Sequence, residues 1–502
     1  MAHSKTPAAP AIEPEWRLPF CMEGLSFVPP GLWDLTQFRF GEQHFRDGGL
    51  FAQFDDLLRE RLIFRWYNKQ ADPKRMTIAY IGNLSDEVKR NLPQGIAPPE
   101  IVPGPFQEEL APGLNAPIVK CVFRSGDLFG RIYTFPWPDP AVKRTVLICL
   151  AYSAAENNRI VEDWEEALLG SLSWQAPGSS GTRMWSVGGL RCDAPGYLML
   201  WETEVYAGQF KMLLRPDRRY LKEHPGEELV LFRAGLAKTT LENSSLHAVA
   251  LNWLKTVQGP RSPDFSESPD RLEVRSTPGN PVSKLAARAK RISRRARGDF
   301  LLGAVRQRPD FNALVGVFWF SHRPLDPARL EVLEKSLTVR GLEAHPAMPV
   351  QAGLPSVQKM PAPEMDAKGR PVMTRAWQWR TIVLRNPSAS IETIHDGLRL
   401  KLPVQPTKMT SVLRRFSGMG RQALPDKIVD LDRIGAELWE QFDGKADLWK
   451  ITSAFSQKYR LSIRESERLI WQHLQNMVKR GIVGLAIPKY QEQEALFENA
   501  GT

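Results

Sequence analysis

The sequence predicts an α+β protein: two tandem antiparallel-sheet-plus-helix domains, then a small α-rich domain. Three observations point there. Strand-like apolar runs alternate with Pro-rich breaks over the first 340 residues. Short motifs recur in the same order at a fixed offset. From residue 426 the apolar residues change to helical spacing, with capping residues at the helix ends.

The chain has 502 residues, room for about three domains at roughly 100–200 residues each. Hydrophobic residues make up 42% and charged residues 25%, so real cores can form and wholesale disorder is not expected. Lys and Arg number 67 against 56 Asp and Glu, a net charge of +11. The excess is concentrated in KLAARAKRISRRAR, residues 284–297, with seven basic residues and no acid. The four cysteines, Cys21, Cys121, Cys149 and Cys192, form no CxxC and no metal-ligand spacing. That argues against a disulfide framework or a zinc site. The opening MAHSKTPAAPA lacks the apolar core of a signal peptide. The longest strongly apolar run, residues 312–320, is too short to span a bilayer. A reducing, cytoplasmic setting away from the membrane is expected.

Pro-rich stretches at 93–117, 259–281 and 345–371 read as loops or linkers, because proline cannot donate to a ladder and resists helix. Residues 76–81, 145–152, 229–232 and 314–320 read as strands. Gly24-Leu-Ser-Phe-Val-Pro-Pro-Gly31 parallels Gly189-Leu-Arg-Cys-Asp-Ala-Pro-Gly196, an offset of 189 − 24 = 165. Arg124-Ser-Gly-Asp-Leu-Phe-Gly130 is matched by Arg297-Gly-Asp-Phe-Leu-Leu-Gly303. Trp164-Glu-Glu-Ala-Leu-Leu-Gly-Ser171-Leu172 is matched by Leu330-Glu-Val-Leu-Glu-Lys-Ser336-Leu337, and 336 − 171 is again 165. We therefore expect a duplicated unit, 15–175 and 180–340, after a disordered 1–14. A Pro-rich linker, 341–374, precedes a C-terminal domain at 375–490 and a tail at 491–502.

Each unit reads as a strand entering a Pro-Gly turn, then alternating strands, a Pro-rich loop, another hairpin and a closing amphipathic helix. In the first unit that helix is expected to bury Ile160, Trp164, Leu168 and Leu172. A sheet covered by helix is the result. This order of elements resembles the PsbP or DcrB type of domain.

In the C-terminal domain, residues 375–384 alternate like a strand stopped by Asn386-Pro387, and 397–402 read as another short strand. Residues 427–431 are a third. Asp432 can cap a helix carrying Ile434, Leu438 and Phe442, which Asp443-Gly444 ends. Asp447 can cap a second helix with Leu448, Ile451, Phe455 and Tyr459 on one side. Ser462-Ile-Arg-Glu465 is a capping box opening a third, with Ile463, Ile470, Leu474, Met477 and Val478 apolar and Gly481 at its end.

Leu431-Asp432-Arg-Ile-Gly435-Ala-Glu-Leu438-Trp439-Glu-Gln-Phe-Asp443-Gly444, followed by Tyr459-Arg-Leu-Ser462 and Lys479-Arg480-Gly481-Ile-Val, resembles the PqqD family. The resemblance covers about residues 426–488. It implies a small winged-helix-like module that holds a precursor peptide for modifying enzymes. It also implies a peptide added as an extra strand, with backbone bonds supplying affinity and side-chain pockets specificity. The matching edge is Lys427, Ile428, Val429 and Asp430, unless an upstream strand such as 397–402 covers it; the matching helix face is Arg468, Trp471, Gln472, Gln475 and Lys479.

The sequence offers no catalytic constellation. The eight histidines show no HExxH or HxH, and there is no Gly-x-Ser-x-Gly elbow or Walker loop. Glu165-Glu166 and Glu227-Glu228 are adjacent, so each pair faces two directions. No cofactor is implied. The leading expectation is a non-catalytic scaffold or recruitment protein with a peptide or protein partner. The alternative is nucleic-acid binding through the winged-helix shape and Lys284, Arg288, Lys290, Arg291, Arg294, Arg295 and Arg297, which would displace phosphate counterions. No aromatic interrupts that run, and as a solvated helix face it needs no ligand.

Overall fold

The computed structural model describes residues 19–486, apart from 31–32, 42–43, 57–58, 92–99, 115, 127, 154–155, 157, 177–180, 207, 258–262, 278–297, 340–374, 396 and 404–425. The chain divides into two compact units, 1–347 and 348–502. Both are α+β, with antiparallel sheets throughout the paired strands.

The first unit opens with β1 (Phe20–Met22), β2 (Leu25–Phe27), β3 (Asp34–Phe40), β4 (Leu50–Asp55) and β5 (Glu60–Tyr67). There follow α1 (Pro73–Asn91), β6 (Ile101–Ala111), β7 (Ala116–Ser125), β8 (Leu128–Pro136), β9 (Thr145–Ser153), α2 (Asn158–Ser171) and β10 (Ser173–Trp174). The same succession then recurs: β11 (Thr182–Val187), β12 (Leu190–Pro195), β13 (Leu198–Tyr206), β14 (Gln209–Pro216) and β15 (Glu228–Gly235). Two helices stand where α1 stood, α3 (Ala237–Asn243) and α4 (Leu246–Thr256). The run ends with β16 (Asp264–Ser268), β17 (Arg271–Ser276), β18 (Phe300–Arg308), β19 (Ala313–Ser321), α5 (Pro327–Ser336) and β20 (Thr338–Val339).

Two seven-stranded sheets result, ordered β3-β4-β5-β9-β8-β7-β6 and β13-β14-β15-β19-β18-β17-β16. A six-stranded sheet, β10-β2-β1-β11-β12-β20, joins them and reads the same from either end. Its centre is the pair Cys21↔Ser186, residues 165 apart. The 165-residue offset persists outward from there. Turn glycines Gly24 and Gly189 both have positive φ, at 88° and 76°. Leu25 pairs with Trp174 as Leu190 pairs with Val339. Ser171 Oγ accepts from the Val28 N–H at 3.0 Å and donates to the Leu168 carbonyl. Ser336 Oγ accepts from the Asp193 N–H at 2.9 Å and donates to the Leu333 carbonyl. A bulge falls after Leu35 in β3 and after Leu200 in β13.

Period-two alternation explains the layers. In β9, Leu147 and Cys149 meet Met76, Tyr80 and Ile81 of α1, while Val146, Ile148 and Leu150 enter a core shared by both repeats. In β19, Leu314, Phe318 and Phe320 meet α4, where Trp253 stacks on Phe232 at 4.9 Å. Val315, Val317 and Trp319 enter the shared core. Both strands are buried on two faces, so they read as continuous apolar runs rather than alternating ones.

Several expectations are corrected. Residues 76–81 are helical, inside α1; Met76, Tyr80 and Ile81 are buried while Ile78 is exposed, a helical spacing. The Pro-rich stretch 93–117 contains β6, an outermost strand whose Pro103 and Pro105 need give no ladder bonds on its open side. The stretch 259–281 contains the β16–β17 hairpin. In α2 it is Val161, not Ile160, that is buried. Gly31, the basic run 284–297 and the expected linker 341–374 lie outside the described residues.

Glu60 opens β5 with its carboxyl pushed up to about 7 by burial, reinforced by repulsion from Asp55 and Glu87. An unfolded glutamate titrates near about 4.3. The folded pKa being the higher, this group stabilises the fold fully only below the unfolded pKa, and the contribution is lost as pH rises through 7. Glu60→Gln should therefore raise stability at pH 8 by up to about 3 kcal/mol. Melting curves from pH 5 to 8 should show a wild-type decline that the variant lacks; parallel declines would refute this.

The second unit comprises α6 (Arg375–Arg380), β21 (Ile382–Arg385), β22 (Ser390–Ile394), β23 (Gly397–Leu402) and β24 (Lys427–Leu431). These precede α7 (Arg433–Gln441), α8 (Leu448–Tyr459), α9 (Ile463–Arg480) and β25 (Val483–Ala486). Strands β22-β23-β24 form one sheet, and β21 pairs with β25. The expected strand at 375–384 is instead a helical turn, α6, followed by β21. Trp377 and Trp379 sit two apart as a strand would place them, yet both are buried. Among the described residues, no helix is long and apolar enough to cross a membrane.

Candidate functional site: the outer edge of β24

Each helix of the second unit starts on a side chain that satisfies backbone N–H groups. Asp432 accepts from the Gly435 N–H, Asp447 from the Lys450 N–H, and Ser462 with Glu465 forms a complete capping box. Gly481, at φ 75°, ends α9 in the left-handed conformation. Leu438, Trp439 and Phe442 of α7, Ile451 and Phe455 of α8, and Ile470, Leu474 and Met477 of α9 are buried.

The sheet in front of these helices has two unlike faces. Leu400 and Val429 pair directly and are both buried. On the other face Arg399 holds Asp430 through two bonds, Nε–Oδ1 at 2.7 Å and Nη2–Oδ2 at 3.0 Å. That pairing holds the Asp430 carboxyl below its usual range. Lys401 reaches Glu392 at 2.8 Å. Ile428 stands among these charges and is 58% exposed.

β24 pairs with β23 on one side only; among the described residues no strand lies on the other. Alternate residues of such an edge present backbone N–H and C=O groups that a further strand can use. The Lys427 ammonium donates to the Arg480 carbonyl at 2.9 Å, so β24 begins beside the C-terminal end of α9. The α7 helix that follows β24 meets α9 at His473, whose Nδ1 lies 3.6 Å from where a Cβ on Gly435 would stand.

These contacts sort the sequence-derived candidates. Val429 can contribute only backbone, since its side chain is core. Asp430 is engaged by Arg399. Gln472, Gln475 and Lys479 are exposed, and Arg468 and Trp471 are half-buried. At about 100° per residue, Trp471 lies on the opposite flank of α9 from His473. The flank facing α7 is that of His473, with Arg480 at the helix end. Neither residue was a peptide-site candidate from sequence, because helical position shows which residues share a face but not which neighbour that face meets.

Of the adjacent carboxylates of the first unit, Glu166 is exposed and the other three have structural partners. Glu165 is bound by Lys120, Arg131 and Tyr133; burial alone would raise its carboxyl, but these partners hold it below the usual range. Glu227 accepts from Tyr197 and Glu228 pairs with Arg215. All four cysteines are free and buried. Among the described residues no group of three His, Cys, Asp or Glu is placed to hold a metal ion.

No family model matches the chain. No curated protein matches it either. Among solved structures it is similar to the immunity protein TplEi of the type VI secretion system from Pseudomonas aeruginosa, in its apo form. The identity is 12% and the TM-score 0.25, over 61% of this chain and 97% of that one. It is similar also to a chain of the Tle4–Tli4 complex, at 10% identity and a TM-score of 0.22, over 65% and 99% of the two chains. A third is MucB in complex with MucA(peri), at 9% identity and a TM-score of 0.12, over 58% and 79%. Every score is far below 0.5, so these likenesses establish neither a shared fold nor a shared function.

Proposed function

We propose that this chain is a non-catalytic binding protein whose C-terminal unit takes up an extended peptide as a fourth strand along β24. The observation that carries the reading is the open side of β24, beside the end of α9, on a three-stranded sheet followed by three capped helices. The PqqD resemblance implies strands first and three helices after, and this order of elements is in keeping with it. A precursor peptide offered to a modifying enzyme is the occupant the resemblance favours. Lys427 reaches the Arg480 carbonyl where the edge begins, which suits a peptide with an acidic residue at that end.

The test titrates the full chain with synthetic peptides covering the precursor peptide encoded nearest its gene, read by calorimetry and amide hydrogen exchange. Binding should slow exchange at residues 427–431. Arg480→Glu and His473→Ala should weaken binding about tenfold, and Trp471→Ala less than threefold. A peptide that binds without protecting 427–431 would sink the edge-strand reading.

A further inference from the structure

The first unit holds a cleft of about 950 Å³ between its two repeats, lined by Phe40 and Arg144 from one and Trp201, Arg215 and Arg218 from the other. Acids line it too, each with a partner: Glu202 is held by Lys211, Glu227 by Tyr197 and Glu228 by Arg215. Trp201 is the residue passed over by the β13 bulge, between Leu200 and Glu202. Bulges re-aim side chains. The corresponding bulge residue in the first repeat is Thr36, whose hydroxyl turns back to the Gln53 carbonyl at 3.3 Å. Trp201 instead stands 57% exposed, with the Arg215 guanidinium against its ring at 4.6 Å. Val205, four residues on and also exposed, shares its side of the strand. β13 is the outermost strand of its sheet. The two apolar side chains are therefore spaced roughly 13 Å apart along an edge, a geometry suited to an extended chain rather than a compact solute.

A side pocket of about 60 Å³ shares Glu23, Met199 and Asp217 with the cleft and leads to Arg183. The three carboxylates lining it are already engaged. Glu23 is bound by Arg144, Asp217 by Arg219 at 3.1 Å, and Asp139 accepts from the Ala141 N–H at 3.0 Å. Arg183 pairs with none of them. Its Nη1 meets only the Met199 thioether, at 3.3 Å, and its buried Nε has no acceptor among the described residues. A thioether is a weak acceptor, and a largely buried guanidinium without a carboxylate is costly. Burial lowers the Arg183 pKa despite the nearby Glu23 carboxylate. A carboxylate in the side pocket would complete it.

We propose that this cleft is a second binding site, for an extended acidic segment of a protein partner. An Asp or Glu side chain of that segment pairs with Arg183, and a neighbouring large apolar residue packs on Trp201. Arg218 at the rim attracts the segment's remaining negative charge.

Random dodecapeptides displayed on phage, which carry no free C-terminus, provide the probe when selected against the full chain. Enriched sequences should hold an Asp or Glu close to a large apolar residue. A synthetic consensus peptide should lose at least tenfold in affinity on Trp201→Ala and on Arg183→Met. Trp201 is exposed, so that variant tests the site even if Arg183→Met fails to fold. No enrichment, a consensus without an acidic residue, or affinity unchanged by Trp201→Ala would overturn the proposal. So would sedimentation showing a wild-type dimer that Trp201→Ala converts to monomer, since the occupant would then be a second copy.

Discussion

Arg144→Leu is expected to destabilise the first unit by about 3–5 kcal/mol, the usual cost of stranding one half of a buried ion pair. Its partner Glu23 is 3% exposed. Glu23 also occupies a left-handed backbone position, φ 52°, where the equivalent turn of the second repeat has Gly188 at φ 60°. A non-glycine residue there carries strain. The carboxylate it places inward is met by Arg144, which also bonds Asn68 at 2.8 Å and lies over the rings of Trp66 and Trp137 at 4.8 and 5.2 Å. Removing the guanidinium leaves a buried anion and uncovers two indoles. Urea unfolding should show a lower midpoint with unchanged slope. Glu23→Gly combined with Arg144→Leu should recover more than half the loss, because it removes the stranded charge and the strained residue together. If the double variant is no more stable than Arg144→Leu, the ion pair is not the cause.

Gly397→Ala should cost the second unit about 3 kcal/mol or more, and should weaken peptide uptake with it. Gly397 starts β23 at φ 148°, and a Cβ there would stand 1.9 Å from the Leu431 carbonyl oxygen. That oxygen belongs to the last residue of β24, so relief requires the two strands to part at Leu398↔Leu431. The edge proposed to receive the peptide moves with them. Amide exchange at 398–402 and 427–431 should accelerate together. A variant with native exchange in both segments would show that the backbone absorbs the clash.

How far the sequence could be read depended on the reach of the interactions. The caps at Asp432, Asp447 and Ser462 and the stop at Gly481 were legible because each is a bond closed within a few residues. The 165-residue offset was legible because Gly24 and Gly189, and Ser171 and Ser336, do the same local work twice. Residues 76–81 misread as strand because six residues hold too little periodicity to separate a buried strand from a helix. The β6 strand hid behind its prolines, which an open sheet edge tolerates.

By itself, then, the sequence determined the α+β class, the repeated unit's landmarks, and the strand and three capped helices at the C-terminal end. Those follow from periodicity and from short-range backbone chemistry, which neighbouring residues specify without outside help. Only the tertiary structure decided which edges stay open and which side chains meet. The Cys21↔Ser186 pairing joins the two repeats across the centre of one sheet, and the fold brings Glu23, Arg144, Arg183 and Trp201 around one cleft from positions up to 178 residues apart (201 − 23). No local pattern encodes such a meeting, because it depends on the packing of elements whose contacts lie far from them in the chain.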